Sequence, residues 1–308
     1  MSEGKVVRRT VLAAHAKVNL VLDVLGPRAD GYTEIATVFQ TVGLADGIEV
    51  AVDPLAVGQR LVVRGEEPCP PEQNLALRAA RACVERFGVV GGVTVTLEKH
   101  IPAGAGLGGG SSDAAAVLRG LDVLTGHRVN AAELTRCAAA LGADVPYFLT
   151  GGLALGRGRG DEIEPLPDLP VWPIVLARAG RPLATSEVFN LARRRLTAQG
   201  DAPNILRFQR HLRDTPLELP PVANGLLPAA RSLEPLIPLV LEALQRAGGR
   251  ASMTGSGSTV FGLFAEEGTA REAAARLPGL VPVTFVHCTE TVPRGRLGGP
   301  AGRTGHIA

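Results

Sequence analysis

Two hydrophobic periodicities divide the chain into strands and helices. Apolar and polar residues alternate over 6–25, a stretch rich in Val and Leu, which predicts an early strand pair or one long bent strand. Further strands are predicted over 35–40, 49–63, 93–97, 172–177 and 281–287, with a hairpin over 151–166. Helical spacing predicts helices over 75–87, 130–141, 232–247 and 270–277, and another directly after the glycines at 108–110. The mixture indicates an α+β protein.

A domain boundary is predicted over 165–170, where prolines interrupt the periodic pattern. It divides the chain into domains spanning 1–166 and 171–289. No firm structure is predicted for 199–230, which is polar and broken by proline. The tail over 290–308 is rich in Gly, Arg and Pro, so we expect it to be disordered.

Composition narrows the function classes. The 308 residues are 45% hydrophobic and 4% aromatic, which is enough for two cores of ordinary size. The net charge is +2 and the basic residues are dispersed, so we expect no nucleic-acid partner. No apolar run is long enough to span a bilayer and no secretory segment is recognised, so we expect no membrane partner and a cytoplasmic location.

The four cysteines are far apart in the sequence. Cys69, Cys83, Cys137 and Cys288 form no C-x-x-C pair. Their spacing supports neither a disulfide framework nor a zinc site. We interpret them as ordinary thiols.

A glycine-rich stretch over 102–113 is the strongest candidate for chemistry. It reads P-A-G-A-G-L-G-G-G-S-S-D and leads into the small-residue helical run A-A-A-V-L. Glycines leave consecutive backbone N–H groups free to surround an anion, and a helix N-terminus adds positive partial charge. The stretch therefore predicts a phosphate-binding loop.

Three other interpretations of this loop are weaker. It contains G-x-G-x-x-G, but the next predicted element is a second helix, starting at Asn130, rather than the strand of a dinucleotide fold. It lacks the lysine of G-x-x-x-x-G-K-[ST], which argues against a Walker-type site. A flexible linker is not expected between a well-patterned strand and a helix.

Four motifs together resemble the GHMP kinases, the superfamily of galactokinase, homoserine kinase and mevalonate kinase. The loop matches that superfamily's second motif, P-x-x-x-G-L-G-x-x-S-S-x-A-A. Residues 16–20 (A-K-V-N-L) resemble the first motif, 142–148 (G-A-D-V-P-Y-F) the aspartate motif, and 254–261 (T-G-S-G-S-T-V-F) the third. They occur in the order found in the family. The resemblance implies a two-domain GHMP kinase fold, with an N-terminal domain like ribosomal protein S5 domain 2 and a ferredoxin-like C-terminal domain.

The resemblance also implies the catalytic residues. Lys17 and Asn19 would point to the same face of a strand, which by itself also fits a solvated strand edge. Asp144 lies between a helix-ending glycine and an apolar run, where a helix cap is the alternative. By resemblance both Lys17 and Asp144 are catalytic. Asp144 would accept the proton of the attacking hydroxyl, and Lys17 would stabilise the negative charge.

ATP and Mg²⁺ are the cofactors that the resemblance implies. The ATP-binding residues would be Pro102, Ala103, Gly104, Ala105, Gly106, Leu107, Gly108, Gly109, Gly110, Ser111 and Ser112, with Asn74 and Lys99 near the adenine. Gly255, Ser256 and Gly257 would close over the phosphates from the second domain. The metal ligand is either Ser111 or Ser112, and the sequence does not choose between them.

The extra loop glycines, the Asp after Ser-Ser and the D-G-Y segment at 30–32 are similar to one branch of the superfamily. Its substrate is a cytidine-diphosphate-linked methylerythritol, phosphorylated on a hydroxyl. The substrate-binding residues would be Asn19, Tyr32, Thr33, Thr185 and Phe189. Thr33 stands where this branch has a histidine, so one expected ring contact to cytosine is missing.

Two alternative functions stay open from the sequence. Another GHMP kinase, of the homoserine or mevalonate type, lacks the D-G-Y segment and the extra glycines. A sensor without catalysis would not need both Lys17 and Asp144. The oligomeric state, monomer or homodimer, is left open.

Overall fold

The computed structural model describes residues 6–65, 67, 69–126, 129–195 and 202–297. The predictions made for 1–5 and for 298–308 lie outside these residues. The strands are β1 (Arg8–Pro27), β2 (Thr33–Asp53), β3 (Gln59–Arg64), β4 (Gly92–Glu98), β5 (Leu153–Arg157), β6 (Glu162–Pro165), β7 (Pro173–Ala179), β8 (Ala223–Asn224), β9 (Arg250–Met253), β10 (Thr259–Leu263) and β11 (Val283–Glu290). The helices are α1 (Leu75–Phe87), α2 (Gly109–Leu124), α3 (Ala131–Leu141), α4 (Val145–Thr150), α5 (Thr185–Arg195), α6 (Pro203–Asp214), α7 (Leu227–Leu233), α8 (Leu236–Arg246) and α9 (Glu267–Leu280).

The first sheet is built on the long antiparallel pair β1 and β2. Its strand order is β3-β4-β2-β1-β8, and β5 pairs with the first half of β2 while β6 pairs with β5. The alternation over 6–25 forms one continuous strand whose register shifts at three places, one of them between His15 and Lys17. Such bulges bend a strand and re-aim its side chains. Of the two predicted alternatives, a strand pair and one long bent strand, the structure has the second.

Four helices, α1 to α4, cover one face of the first sheet. Their small residues pack on the valines and leucines of β2 and β4 in a continuous core. Asn74 caps α1 by accepting from the amide of Ala76, and Asn130 caps α3 by accepting from the amide of Glu133. These caps confirm the predicted starts of both helices.

The second sheet is entirely antiparallel, in the order β11-β7-β10-β9. Helices α8 and α9 pack against it and form the core of the second half of the chain. A third cluster joins the two halves, because side chains from β1 and β2 pack there with side chains from β7, β10 and α6. The two sheets therefore form one α+β molecule. The predicted boundary falls between the last strand of the hairpin and β7.

One predicted helix is divided in the structure, and one stretch without a firm prediction contains regular elements. The helix predicted over 232–247 is divided into α7 and α8, because Glu234 is extended (φ −137°, ψ 98°) immediately before Pro235. A residue before proline disfavours helical backbone angles. The stretch 202–230, which had no firm prediction, contains α6, β8 and α7.

The tail is ordered as far as the structure describes it, so the prediction of disorder is wrong for 290–297. The amide of Val292 donates to the carbonyl of Thr41 (2.8 Å), and the Arg294 guanidinium donates to the carbonyl of Leu153 (2.6 Å). These contacts satisfy backbone carbonyls of β2 and β5, two strands of the first sheet. Across the described ranges, no helix is long and apolar enough to cross a membrane.

Candidate active site

A cavity of about 470 Å³ is lined by residues from both halves of the chain. The predicted site residues that line it are Lys17, Asn19, Tyr32, Thr33, Gly106, Gly108, Asp144, Thr185, Phe189, Gly255 and Ser256. The other predicted residues lie outside this lining: Asn74, Lys99, Pro102, Ala103, Gly104, Ala105, Leu107, Gly109, Gly110, Ser111, Ser112 and Gly257. The structure therefore brings the predicted catalytic pair and the predicted acceptor residues to one cavity, with the predicted phosphate loop at its edge.

Lys17 and Asp144 meet in this cavity. The Lys17 ammonium lies 3.5 Å from Asp144 Oδ2 and donates to Asn19 Oδ1 (2.8 Å) and to the carbonyl of Gly106 (3.1 Å). Lys17 is only 3% exposed, whereas about a third (34%) of the Asp144 side chain is exposed. The ammonium is thus held in place, and the carboxylate is left accessible to a ligand.

The β-bulge explains how a strand lysine enters the site. At the bulge the backbone amide of Lys17 donates to the carbonyl of Leu107 (3.0 Å), in the glycine-rich loop. The strand is therefore bonded directly to the loop at Lys17. Lys17 is therefore not on a solvated strand edge, which was the alternative from the sequence.

Asp144 stands immediately before α4, where a capping aspartate was the alternative. Its side chain forms no capping hydrogen bond to the helix. The apolar residues that follow it are buried, including Val145 and Tyr147. Core packing of these residues therefore holds the backbone at Asp144 in place, and the Asp144 carboxylate lines the cavity.

Asn19 connects the two halves of the chain. Its amide oxygen accepts from the backbone amide of Gly255 (2.8 Å) as well as from Lys17, and its backbone amide donates to Thr254 Oγ1 (3.0 Å). Its side-chain NH₂ donates to Thr37 Oγ1 (2.8 Å). Asn19 lines the cavity, but these bonds occupy its polar groups, so it positions Lys17 against the second glycine loop.

The two glycine loops approach each other closely. Gly106 and Gly255 both have positive φ (+74° and +55°), which favours glycine. A Cβ on Gly106 would lie 2.7 Å from the carbonyl oxygen of Thr254, and one on Gly255 would lie 3.1 Å from the carbonyl oxygen of Gly106. Only glycine permits this backbone contact, which brings the third motif against the second.

The phosphate loop ends at the N-terminus of α2, as predicted. Gly108 precedes the helix in the left-handed region (φ +74°), and no side chain caps the first turn. Ser112 is buried and donates to the carbonyl of His15 (2.7 Å). Ser111 forms no hydrogen bond within the part of the chain that is described, so its hydroxyl is the freer of the two predicted metal ligands.

A buried charged triad lies beneath the loop. Lys99 Nζ contacts Asp46 Oδ2 (2.5 Å) and Asp113 Oδ2 (3.1 Å), and Asp46 Oδ1 also accepts from the amides of His100 (2.5 Å) and Ile101 (2.8 Å). Burial raises the pKa of Asp113 to about 8, with Asp46 adding to the rise and Lys99 opposing it. Asp113 Oδ1 is buried and has no hydrogen-bond partner among the described residues. The Lys99 ammonium therefore links the segment that precedes the glycine-rich loop to the first turns of α2.

The acceptor end of the cavity carries the predicted aromatic residues. Tyr32 is about half exposed (54%), and the guanidinium of Arg159 lies over its ring at 4.7 Å from the centroid. Phe189 on α5 lines the same cavity and packs partly on the second core. Thr33 is buried, and Thr185 Oγ1 lies 3.0 Å from Ser256 Oγ.

Sequence reasoning missed the polar residues that line this end. Arg159 is held by Asp161 Oδ2 (2.7 Å) in the turn between β5 and β6. On α5, Ser186, Asn190 and Arg193 line the cavity together with Phe189. Positions 186, 189, 190 and 193 have the spacing of one helix face, and that spacing was available in the sequence as a signal.

Comparisons with known proteins agree with this geometry. The family model "GHMP kinases N terminal domain" matches residues 74–152, and "GHMP kinases C terminal" matches 205–282. A crystal structure of homoserine kinase from Cytophaga hutchinsonii covers 95% of this chain and 96% of its own, with a TM-score of 0.67 and 17% identity, which shows the fold alone. Fold and site together define a GHMP kinase.

Two more similar proteins narrow the class. The chain is 42% identical over 273 residues to 4-diphosphocytidyl-2-C-methyl-D-erythritol kinase of Citrifermentans bemidjiense, covering 88% of this chain and 95% of that protein. A crystal structure of 4-(cytidine 5'-diphospho)-2C-methyl-D-erythritol kinase has a TM-score of 0.76 and 38% identity, covering 91% of this chain and 98% of its own. The chain belongs to the family of 4-diphosphocytidyl-2-C-methyl-D-erythritol kinases. GHMP kinases are ATP-dependent phosphotransferases, so ATP is the phosphoryl donor.

Proposed function

We propose that the chain transfers the γ-phosphoryl group of ATP to the 2-hydroxyl of 4-diphosphocytidyl-2-C-methyl-D-erythritol. The products are the 2-phosphate and ADP, in the non-mevalonate route to isopentenyl diphosphate. The observation that carries the proposal is the Lys17–Asp144 pair, 3.5 Å apart in a cavity edged by the phosphate loop. The 42% identity to a kinase named for this substrate supports it.

The pair suits an alcohol acceptor. The hydroxyl oxygen forms a bond to the γ-phosphorus, the bond from that phosphorus to the bridging β-oxygen breaks, and ADP leaves. The hydroxyl proton passes to the accessible Asp144 carboxylate, which acts as a general base. Lys17 faces the same point from the buried side and stabilises the negative charge on the transferred group.

The phosphate loop supplies the remaining groups for ATP. The backbone N–H groups of 108–111 stand at the uncapped start of α2, where an anion is stabilised. Magnesium, when bound with ATP, neutralises phosphate charge. Ser111 fits as its ligand because its hydroxyl has no other described partner. Among the described residues no cluster of His, Cys, Asp or Glu could hold a metal alone, which fits an ion held largely by phosphates.

Asn74 and Lys99 were predicted to lie near the adenine. Their side chains have structural partners instead, since Asn74 accepts from the amide of Ala76 and Lys99 pairs with two carboxylates. We propose that both act by holding the surroundings of the nucleotide. Asn74 fixes the start of α1, and Lys99 fixes the loop.

At the acceptor end we propose that cytosine lies between Tyr32 and Phe189. An aromatic platform binds a base by stacking, worth about 1–3 kcal/mol per base. Thr33 is buried beneath this end and Thr185 lies at its edge, next to Ser256.

The four cysteines are all free thiols, which supports a reducing cytoplasmic location.

Side-by-side substrate tests check the proposal. Purified protein with ATP is offered the diphosphocytidyl substrate, homoserine and mevalonate in separate reactions, and ADP release is measured. We expect release with the diphosphocytidyl substrate alone. Release with homoserine or mevalonate would favour another GHMP kinase activity, and no release with any acceptor would favour a sensor.

A further inference from the structure

A buried cluster of hydrogen bonds joins helix α4 to strand β2. The Tyr147 hydroxyl donates to the carbonyl of Gly152 (2.8 Å). Because that bond uses the phenol proton, the Thr41 hydroxyl, 2.7 Å away, donates to Tyr147. Thr41 Oγ1 in turn accepts from the amide of Gly152 (2.9 Å). We call these three residues the tyrosine cluster; Tyr147 is fully buried in it, and Thr41 is only 2% exposed.

The tyrosine cluster connects the elements that carry the Lys17–Asp144 pair. Asp144 immediately precedes α4, and Tyr147 follows it by three residues on that helix. On the other side, Thr41 is the register partner of Lys17 in the pairing of β1 with β2. The Tyr147 carbonyl also accepts from the amide of Gly151 (2.7 Å). Both its backbone and its hydroxyl are therefore bonded to the turn that follows α4.

The aromatic ring of Tyr147 makes a second connection, through Phe39. The two rings are stacked with their centroids 4.6 Å apart, and the Lys17 ammonium lies 5.5 Å from the centroid of the Phe39 ring. Phe39 is buried in β2, two residues before Thr41. The hydrogen bonds and the stacked rings therefore both lead from α4 to the surroundings of Lys17.

The position of the Asp144 carboxylate depends on α4 rather than on its own contacts. The 3.5 Å between the Lys17 ammonium and Asp144 Oδ2 is longer than a direct hydrogen bond. In the part of the chain that is described, the Asp144 carboxylate accepts no hydrogen bond, and it does not cap the helix. A misplacement of about 1 Å in an active site can cost about a hundredfold in rate. The anchoring of α4 therefore matters for the reaction.

We propose that Tyr147 is a positioning residue for phosphoryl transfer, because its hydroxyl, held by Thr41 and Gly152, sets the position of the Asp144 carboxylate against Lys17. The inference rests on the proposed function. A phenylalanine would fill nearly the same volume and would need no buried partners, so the hydroxyl adds an anchor that packing alone does not supply. Burial raises the pKa of Tyr147, so this hydroxyl is a neutral donor at the pH of the reaction.

Steady-state kinetics of Tyr147→Phe tests the inference. Tyr147 lies outside the cavity lining, so we expect kcat to fall about tenfold while the KM values for both substrates stay unchanged. Thr41→Val removes the same anchor and should lower kcat similarly, whereas Thr41→Ser keeps the hydroxyl and should retain kcat. The matched control is Thr125→Val, which removes a hydroxyl that donates to the carbonyl of Leu121 (2.8 Å) at the far end of α2. It should keep the wild-type kcat.

A double-mutant cycle with Asp144→Asn shows whether Tyr147 acts through the carboxylate. If it does, adding Tyr147→Phe to Asp144→Asn should change kcat by less than about twofold, since the group being positioned is already lost. The same loss in that background as in the wild type would overturn the inference, because the hydroxyl would then act elsewhere. Wild-type kcat for Tyr147→Phe, a raised KM, or an equal loss in Thr125→Val would also overturn it.

The failure of this inference differs from the failure of the proposed function. Wild-type turnover of the diphosphocytidyl substrate is measured first, and its absence would overturn both. If the wild type turns over and Tyr147→Phe does so at the same rate, the inference alone is wrong. Melting curves confirm that each variant is folded, and the comparison of Thr41→Val with Thr41→Ser replaces Tyr147→Phe if that variant does not fold.

Discussion

Lys17 shows how a side chain and two of its partners were predictable while a third contact was not. The motif A-K-V-N-L located both Lys17 and Asn19, and the aspartate motif located Asp144. The contact of Lys17 with the carbonyl of Gly106 depends on a register shift in β1, which the alternation of residues does not encode. Arg193 was missed for a similar reason, since its place in the cavity depends on how α5 lies against the turn at Gly31.

The proposed base platform gives the first prediction. Tyr32→Ala should raise the KM for the diphosphocytidyl substrate by roughly 5- to 150-fold, because stacking on a ring contributes about 1–3 kcal/mol. Tyr32→Phe keeps the ring and should have a much smaller effect. Thr33→His, which restores the family residue, should lower KM by no more than roughly tenfold, the value of one hydrogen bond. Steady-state kinetics checks all three, and an unchanged KM for Tyr32→Ala would mean that cytosine is not bound by this ring.

At the scale of elements, the loop and helix α2 were predicted from their glycines, and the triad beneath them was not. Asp113 belongs to the recognised motif, but Asp46 lies on β2 and Lys99 follows β4, so only the fold brings them together. The helix predicted over 232–247 is the opposite case, because the residue that divides it was visible in the sequence. There Pro235 disfavours helical backbone angles at Glu234, although the apolar spacing on both sides predicts one continuous helix.

The triad predicts a pH dependence of stability. The charged groups facing Asp113 are Asp46 from β2 and Lys99 from the segment after β4. Its folded-state pKa of about 8 lies above the ordinary value of 3.8, so the folded state binds more protons than the unfolded state between those values. The free energy of unfolding therefore falls through this group as pH rises from about 4 to 8.

Asp113→Asn should flatten that slope, because the amide cannot ionise. Urea unfolding at several pH values measures the slope, and the exposed Glu272→Gln variant on α9 should keep the wild-type slope. An identical pH dependence in Asp113→Asn and the wild type would show that Asp113 does not titrate in this window.

The loop glycines give a prediction about nucleotide binding. Gly108→Ala places a Cβ 2.7 Å from the Phe148 ring at φ +74°, and a left-handed non-glycine residue costs roughly 1–2 kcal/mol. The loop must shift, so we expect weaker ATP binding and a lower melting temperature. Gly268→Ala on α9 meets nothing within 4 Å and serves as the control. ATP titration of the folded Gly108→Ala variant at wild-type affinity would contradict the proposed role of the loop.

At the scale of the whole molecule, the order of four motifs predicted two domains and one shared site. The sequence did not predict how the domains are joined, because that junction uses a buried cluster with members from β1, β2, β7, β10 and α6. In the stretch 202–230 the buried Ile205 and Phe208 of α6 have helical spacing, so that helix was predictable, whereas the two-residue β8 depends on its pairing with β1. The ordered part of the tail is also held by distant partners, including Asp168.

The junction predicts a difference between two buried threonines. Thr254 Oγ1 accepts from the amide of Asn19 (3.0 Å), whereas Thr259 Oγ1 is buried and has no hydrogen-bond partner in the described part of the chain. Thr254→Val should destabilise the protein by about 1–3 kcal/mol, because it leaves a buried amide unsatisfied. Thr259→Val should be neutral or stabilising. Denaturant unfolding compares them, and equal free energies of unfolding for the two variants would argue against a hydrogen-bonded junction at Asn19.

Phosphorus NMR of the reaction tests the central claim, that the Lys17–Asp144 pair transfers a phosphoryl group from ATP to the diphosphocytidyl substrate. The account predicts that wild-type protein converts ATP to ADP and forms a new phosphomonoester while the substrate diphosphate stays intact. With Asp144→Asn the phosphomonoester should form at least about a hundredfold more slowly, at unchanged ATP affinity. Formation of the phosphomonoester by Asp144→Asn at the wild-type rate would contradict the account.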